Sequence, residues 1–519
     1  FGDGGWYWFD VAADSEDAVV EAARWEARVP AETPRGRATI GITTFNRPTD
    51  CATVLGQLGA SDTLPEVLNE VVVVDQGNKK VVDDDRFPAA RKSLGKSLRM
   101  IDQPNLGGSG GFSRGMYEAM EGGADYVLLL DDDVRVDPEG IVRAVAFADL
   151  SRVPTIVGGH MFSMYERTSL HAYAEQVQPW RFWWRAVKGT RPDHDLAIAP
   201  LRTTAWLHQR ADADYNGWWM CLIPTSVIRR IGLSLPFFIK WDDSEYGLRA
   251  RGAGVPTVSL PGAAVWHVPW TDKDDSLDWQ AYFHERNRLV AALIHSQYKH
   301  GGRVVTESMQ GQIKHLLSSQ YSVVELRLRA IEDILTGPGH LQAGISTVVP
   351  RVRALRSEFD DAVVETDPDA FPEVRREKLP RRGEYLGYPK TIVGRIAMAA
   401  KGSVKQVLPV KAMSLEHPEA RVPWSQARWW MLSQFDSAIV SNSDGSGASW
   451  YHRDTGRFRQ LLARSIVLHR RLRREWEELH AEYQASVGEV VSPEAWARTF
   501  GIAGGEASGA EVAATEESR

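Results

Sequence analysis

Tyr126-Val127-Leu128-Leu129-Leu130-Asp131-Asp132-Asp133 is the stretch that decides the fold. Five residues without a charge are too short for a buried helix and suit a strand covered on both faces. The strand then stops at three consecutive carboxylates. Working outward, the segment 38–44 reads as a strand, 51–58 as a helix, 70–75 as a second apolar strand, 97–101 as a third and 110–120 as a helix. Alternating strands and helices with apolar strand centres indicate a mostly parallel, Rossmann-like α/β sheet with helices on both faces. Ligands bind beyond the carboxyl ends of such strands. Those ends carry Arg47, Asp75-Gln76-Gly77-Asn78, Asn105 and Asp131-Asp132-Asp133, so polar side chains gather on one edge.

Three carboxylates at a strand mouth repel one another and call for a compensating cation or hydrogen-bond donors. A divalent Mg2+ or Mn2+ takes oxygen ligands and bridges to phosphates. Strand alternation puts Asp131 and Asp133 on one side and Asp132 on the other. A solvated acidic turn is the plainer alternative. Further on, Trp241-Asp242-Asp243-Ser244-Glu245 precedes a helix over 246–251. Its carboxylates suit general-base work on a hydroxyl, and equally the first turn of a helix. His267, in Val265-Trp266-His267-Val268, could complete a metal shell or be structural. The glycine-rich run from Asn105 to Gly115 could offer backbone N–H groups to phosphate or pack a helix tightly on the sheet. It is neither a Rossmann fingerprint nor a Walker loop. Trp218-Trp219 could stack on a sugar or fill the core.

Composition narrows the class. Of 519 residues, 43% are hydrophobic and 25% charged, as in ordinary soluble globular proteins. A net charge of -7 argues against a general nucleic-acid binder. Two isolated cysteines, Cys51 and Cys221, exclude a disulfide framework and fit a reducing cytoplasm. No run approaches the roughly 18 apolar residues of a membrane span. The chain opens on Phe1, so the natural start is expected upstream. We expect four segments: 1–36, the end of another unit, with a strand over 6–11, a helix over 15–27 and a linker; 37–300, the sheet domain; 301–502, mainly helical, with long helices over 312–335 and 457–483; and 503–519, a disordered tail. Residues 375–411 carry ten Lys/Arg against two Glu, which together with the Arg-rich helix after Arg457 suggests an anionic membrane surface as a partner, or equally a set of solvated helical faces or a subunit interface.

The order of motifs is more telling than any one of them. Thr-Thr-Phe-Asn-Arg-Pro, Val-Val-Asp, Asn-x-Gly-Gly-x-Gly-Gly, Asp-Asp-Asp, Asp-Asp-Ser-Glu and Trp-His follow one another over residues 38–268. This resembles the inverting GT-A-fold family of nucleotide-sugar glycosyltransferases. It is closest to the mycobacterial-type galactofuranosyltransferases that polymerise cell-wall galactan, on Trp218-Trp219, the run Phe238 to Gly247, and Ser441-Asn442-Ser443-Asp444-Gly445-Ser446-Gly447. The resemblance implies that residues 1–36 end an N-terminal β-sandwich. It implies UDP-galactofuranose as donor, a lipid-linked galactan as acceptor, a homo-oligomer, and a peripheral place on the cytoplasmic side of the plasma membrane. Asp131, Asp133 and His267 would hold Mn2+ or Mg2+. Arg47, Asp75, Asn105 and Asp132 would contact the donor, and Asp243 would be the base. Asp242 and Glu245 would orient acceptor or base, and Trp218, Trp219 and Glu175 would line the acceptor site. The rivals are a transferase of another sugar, such as a rhamnosyl donor, and a non-catalytic carbohydrate-binding homologue.

Overall fold

The computed structural model describes residues 5–26, 28–33, 35–270, 275–374 and 389–502. The first half runs β1 (Ala38–Thr44), α1 (Pro48–Gly59), β2 (Leu68–Asp75), α2 (Phe87–Leu94), β3 (Leu98–Asp102), α3 (Gly107–Glu121), β4 (Tyr126–Asp131), β5 (Arg135–Val136) and α4 (Pro138–Asp149). Next come β6 (Ile156–Ser163), β7 (Ser169–Ala172), β8 (Glu175–Val177), β9 (Trp184–Ala186), β10 (His194–Asp195), β11 (Asp212–Ala213), β12 (Met220–Pro224), α5 (Thr225–Ile231), α6 (Asp242–Gly252), β13 (Thr257–His267) and α7 (Ala281–His295). The remainder is α8 (Val304–Leu317), α9 (Tyr321–Ile334), α10 (Gly339–Gly344), α11 (Val348–Arg356), α12 (Ile392–Val407), α13 (Ala412–Glu416), β14 (Arg421–Val422), α14 (Trp429–Leu432), β15 (Ser437–Ser441), β16 (Ala448–His452), α15 (Thr455–Arg474), α16 (Trp476–Val490) and α17 (Pro493–Phe500).

The main sheet has the order β10-β7-β6-β12-β4-β1-β2-β3. Strands β1 to β4 are mutually parallel, as the apolar runs at Val71–Val74 and Leu128–Leu130 require, and those residues are fully buried. The other half is mixed, because β12 runs antiparallel between β4 and β6. A strand buried on both faces has no polar alternation to show its direction, so this reversal left no mark in the pattern. Register aligns the carboxyl ends: Thr44 faces Asp75, and Thr43 faces Asp131.

Several expectations are corrected. Residues 6–11 form no strand, 15–26 form no helix, and no β-sandwich strand is present among the described residues of 1–36. This segment instead holds on by side chains. The Trp6 indole donates to the Leu207 carbonyl (3.1 Å), and Arg202 forks onto Asp10 (2.7 Å). A strand with no neighbour has no ladder to join. The helix expected over 312–335 breaks at Ser318–Gln320, where Ser319 is left-handed (φ 57°), giving α8 and α9. The one expected over 457–483 breaks at Glu475, giving α15 and α16. The helical part also holds a small sheet, β14-β15-β16. The expected tail, 503–519, and the basic residues 375–382 lie outside the described residues. The helical part shares core with the sheet part: Trp476 and Tyr483 of α16 pack on Leu289–Ile294 of α7, and the Trp496 indole donates to the Ser234 carbonyl (2.9 Å).

Candidate active site

The acidic end of β4 meets a histidine because the two-residue strand β5 pairs with β13, setting Val265 opposite Val136 and Trp266 opposite Arg135. The next residue, His267, then faces the aspartates. Its Nε2 lies 3.0 Å from Asp133 Oδ1 and 3.9 Å from Asp131 Oδ2. Its Nδ1 is 2.6 Å from the Val268 carbonyl. An Nδ1–H donated there leaves the Nε2 lone pair pointing at two carboxylates, an arrangement that a shared cation relieves. One ligand atom from each of Asp131, Asp133 and His267 can lie within 4.8 Å of the others. Two carboxylates and an imidazole form a donor set that fits an oxygen-preferring divalent ion. Arg47 pairs with Asp133. Asp132 turns inward, towards the Thr44 hydroxyl, and burial pushes its carboxyl up to about 8, helped by the charge of Asp133.

A second corner is built by strain. Phe238, Lys240 and Trp241 all have positive φ (68°, 69° and 70°), a conformation that costs side-chain-bearing residues energy and persists only where neighbours enforce it. Here α3 and α7 enforce it. The Ser109 N–H donates to the Phe238 carbonyl (3.2 Å), and the Phe238 N–H to Ser109 Oγ (2.8 Å). Asn287 Nδ2 donates to the carbonyls of Ile239 and Lys240 (both 2.8 Å), and Arg286 to that of Phe237 (2.7 Å). The glycine-rich run therefore works by close packing. A Cβ on Gly107 (φ 72°) would lie 2.1 Å from the Phe238 carbonyl oxygen, and one on Gly111 would lie 1.7 Å from Thr43 Oγ1.

The strained loop delivers Asp242 and Asp243 to the first turn of α6. Burial raises both carboxyls above the usual range, the charge of Asp243 adds to the rise at Asp242, and Lys240 opposes it at both. The charge of Asp131 also reaches Asp243, so the two corners are near enough to interact. Glu175 joins them from β8. Burial pushes it up to about 8, Asp243 adds to the rise, and Tyr215 opposes it. The Trp184 ring lies 4.8 Å from that of Trp241, and its indole donates to Ser244 Oγ (3.2 Å).

Other expected residues fall elsewhere. Glu245 is fully buried in the first turn of α6, ion-paired with Arg249 and hydrogen-bonded with His295 (both 3.0 Å). Burial alone would raise it, but the Arg249 charge and the contact with His295 hold it at about 2. These contacts anchor α6. Asp75 is buried and accepts the N–H groups of Gly77 (3.0 Å) and Val81 (2.9 Å), so it shapes the loop after β2. Asn105 accepts from Gly107 N–H (3.0 Å) ahead of α3. Trp218 and Trp219 are buried. Trp218 packs on Phe112 and Tyr246, and the Trp219 indole donates to the Gly159 carbonyl (2.8 Å) while its ring meets Trp270. The sequence reading missed Tyr215, Trp184 and the Arg286-Asn287 clamp. The clamp had a signal: Glu285-Arg286-Asn287-Arg288 is a polar run inside an otherwise apolar helix.

A carboxylate–histidine cluster and helix-borne aspartates at the carboxyl edge of this sheet define a glycosyltransferase of GT-A type, and residues 34–292 match the glycosyltransferase-like family 2 model. Residues 304–502 match galactofuranosyltransferase-2, domain 3. The chain is 39% identical over 507 residues to galactofuranosyltransferase GlfT2 of Mycobacterium tuberculosis (strain ATCC 25618 / H37Rv), covering 96% of this chain and 78% of the relative. GlfT2 of Mycolicibacterium smegmatis (strain ATCC 700084 / mc(2)155) is 39% identical over 505 residues, covering 96% and 77%. GlfT1 of the same M. tuberculosis strain is 37% identical over 264 residues, covering 50% and 74%. The chain belongs to the GlfT2 galactofuranosyltransferase family. Among solved structures, it aligns with a crystal structure of GalNAc-T7 with UDP, GalNAc and Mn2+ over 53% of its length and 51% of that chain, at 14% identity and a TM-score of 0.41.

Proposed function

We propose that this enzyme transfers galactofuranose from UDP-galactofuranose, with inversion, to a growing lipid-linked galactan in cell-wall arabinogalactan synthesis. The observation that carries the mechanism is the pair of acidic corners, the Asp131–Asp133–His267 cluster and the raised carboxyl of Asp243, with the charge of Asp131 reaching Asp243. Mn2+ or Mg2+ held by Asp131, Asp133 and His267 would neutralise charge on the departing diphosphate as a Lewis acid. Arg47 adds a fixed positive charge at the same corner. Asp75 and Asn105 shape the loops around the uridine and diphosphate, and Asp132 lies beneath the donor. Asp243 takes the proton of the acceptor hydroxyl as it attacks, and its raised pKa makes it a better base than an ordinary aspartate. Asp242 and Glu175 position the acceptor. Attack on the face opposite UDP inverts the anomeric centre in one displacement.

The chain divides at residue 300 into a transferase domain (37–300) and a mainly helical domain (301–502), a division supported by the change from alternating strands and helices to helices. No helix among the described residues is long and apolar enough to cross a membrane. Helix α12 nevertheless exposes Ile392, Val393, Ile396, Val404 and Val407, next to Lys390, Arg395 and Lys401. That combination suits peripheral attachment to an anionic bilayer on the cytoplasmic side of the plasma membrane. A homo-oligomer would compete for the same stripe. Donor choice is tested by nucleotide release with UDP-galactofuranose against dTDP-rhamnose. We expect release with the first alone; preference for the second would overturn the donor assignment.

A further inference from the structure

The hairpin of β8 and β9 lies against the loop that carries the base. Its strand β8 begins at Glu175, beside Asp243, and Trp184, opposite Val177 at the turn end, bonds to Ser244, so the turn itself stays next to the loop that carries the base. That turn, 178–183, exposes two indoles: Trp180 and Trp183 are 47% and 46% exposed. Large apolar rings left in water on a well-bonded turn are unusual, because burying such a ring stabilises a fold. This turn is well bonded. The Gln178 N–H donates to the Trp183 carbonyl (2.9 Å), and the Phe182 N–H to the Gln178 carbonyl (2.7 Å). Phe182 is left-handed (φ 48°) and buried. Arg288 donates to the carbonyls of Phe182 and Arg181 (both 2.7 Å) and to Glu307 (2.9 Å), and lies 4.9 Å from the centre of the Trp183 ring, backing one face. The Arg303 N–H holds the Trp180 carbonyl (2.9 Å), and Tyr298 meets the Trp180 ring edge-on at 4.8 Å. Both indoles are thus braced from behind and open in front.

We propose that Trp180 and Trp183 form a binding site for sugar residues of the acceptor chain beyond the one that is attacked. The inference rests on the acceptor assigned above. At roughly 3.3 Å per strand residue, the turn lies about 10 Å beyond Glu175, within reach of a chain a few sugars long leaving the base. The C–H faces of sugar rings stack on indoles, and the flanking Arg181–Glu307 pair (2.6 Å) supplies donors and acceptors for their hydroxyls.

The test is initial-rate kinetics on the full chain with UDP-galactofuranose and two acceptors, a galactofuranose disaccharide and a hexasaccharide. In Trp180→Ala, Trp183→Ala and the double variant, the KM for the hexasaccharide should rise about tenfold. The disaccharide KM and both kcat values should hold, and Trp183→Phe should recover part of the loss. Equal effects on both acceptors, or none, overturn the site. So does an unchanged KM accompanied by altered liposome pelleting or oligomeric mass. If the wild-type chain elongates neither acceptor, the assigned function fails and the site with it. If it elongates both and the variants match it, only the site fails.

Discussion

Glu175 and Glu245 are both buried glutamates, yet their surroundings drive them in opposite directions. Glu245 meets Arg249 and His295 and stays ionised; burial, helped by the charge of Asp243, holds Glu175 up to about 8. Unfolded, Glu175 would titrate at about 4.3. Between those values the folded chain keeps a proton that the unfolded chain has lost, so stability falls as pH rises through that window. Replacing Glu175 by Gln removes that dependence. The melting temperature of Glu175→Gln relative to wild type should therefore rise between pH 5 and pH 8, corresponding to on the order of a few kcal/mol. A difference that stays flat with pH would show that the carboxyl is not raised. Sequence made Asp131, Asp133 and His267 readable, because a buried strand ending in acids is rare and the later Trp-His completes the order. Glu245 was misplaced because, in sequence, it is one more acid in a first helical turn, like Asp243. What separates them is Arg249 one turn on and His295 fifty residues away, and only folding brings the latter near.

At the scale of elements, the active site depends on how closely α3 approaches β1 and the loop before α6. A Cβ on Gly115 would stand 3.3 Å from the Gly41 Cα, and one on Gly111 would overlap Thr43. Gly111→Ala should therefore destabilise the chain by about 1–3 kcal/mol, read as a lowered urea midpoint, with a loss of kcat because α3 also holds Phe238. An unchanged midpoint would mean the helix can shift away freely. The parallel strands were legible from their apolar centres. The three left-handed residues before α6 were not, since Phe, Lys and Trp carry no turn signature and are forced into place by Asn287 and Ser109. The N-terminal aromatics looked like a strand because their composition suits one, but composition cannot supply a neighbouring strand.

At the scale of the whole molecule, the helical part braces the transferase part and extends from it an exposed stripe. Trp476, Tyr483 and Trp496 lock α16 and α17 against α7 and the segment leading to the base. On α12, Ile392, Val393 and Ile396 face solvent. The chain should pellet with vesicles containing anionic phospholipid and remain in solution with zwitterionic ones. Replacing those three residues with Ser should reduce pelleting several-fold without changing turnover on a soluble acceptor. Equal recovery with both vesicle types, or with none, would rule out the anionic surface.

The central assignment is that a raised Asp243 and a cation held by Asp131, Asp133 and His267 act together on one transfer. The most direct measurement is single-turnover transfer from UDP-galactofuranose to an oligogalactofuranoside, with Mn2+ titrated, in wild type and Asp243→Asn, alongside donor affinity. Wild type should transfer only when a divalent ion is present. Asp243→Asn should bind donor and Mn2+ normally and transfer about a hundredfold to ten-thousandfold more slowly. Near-normal transfer by Asp243→Asn, or wild-type transfer that persists under full chelation, would contradict it.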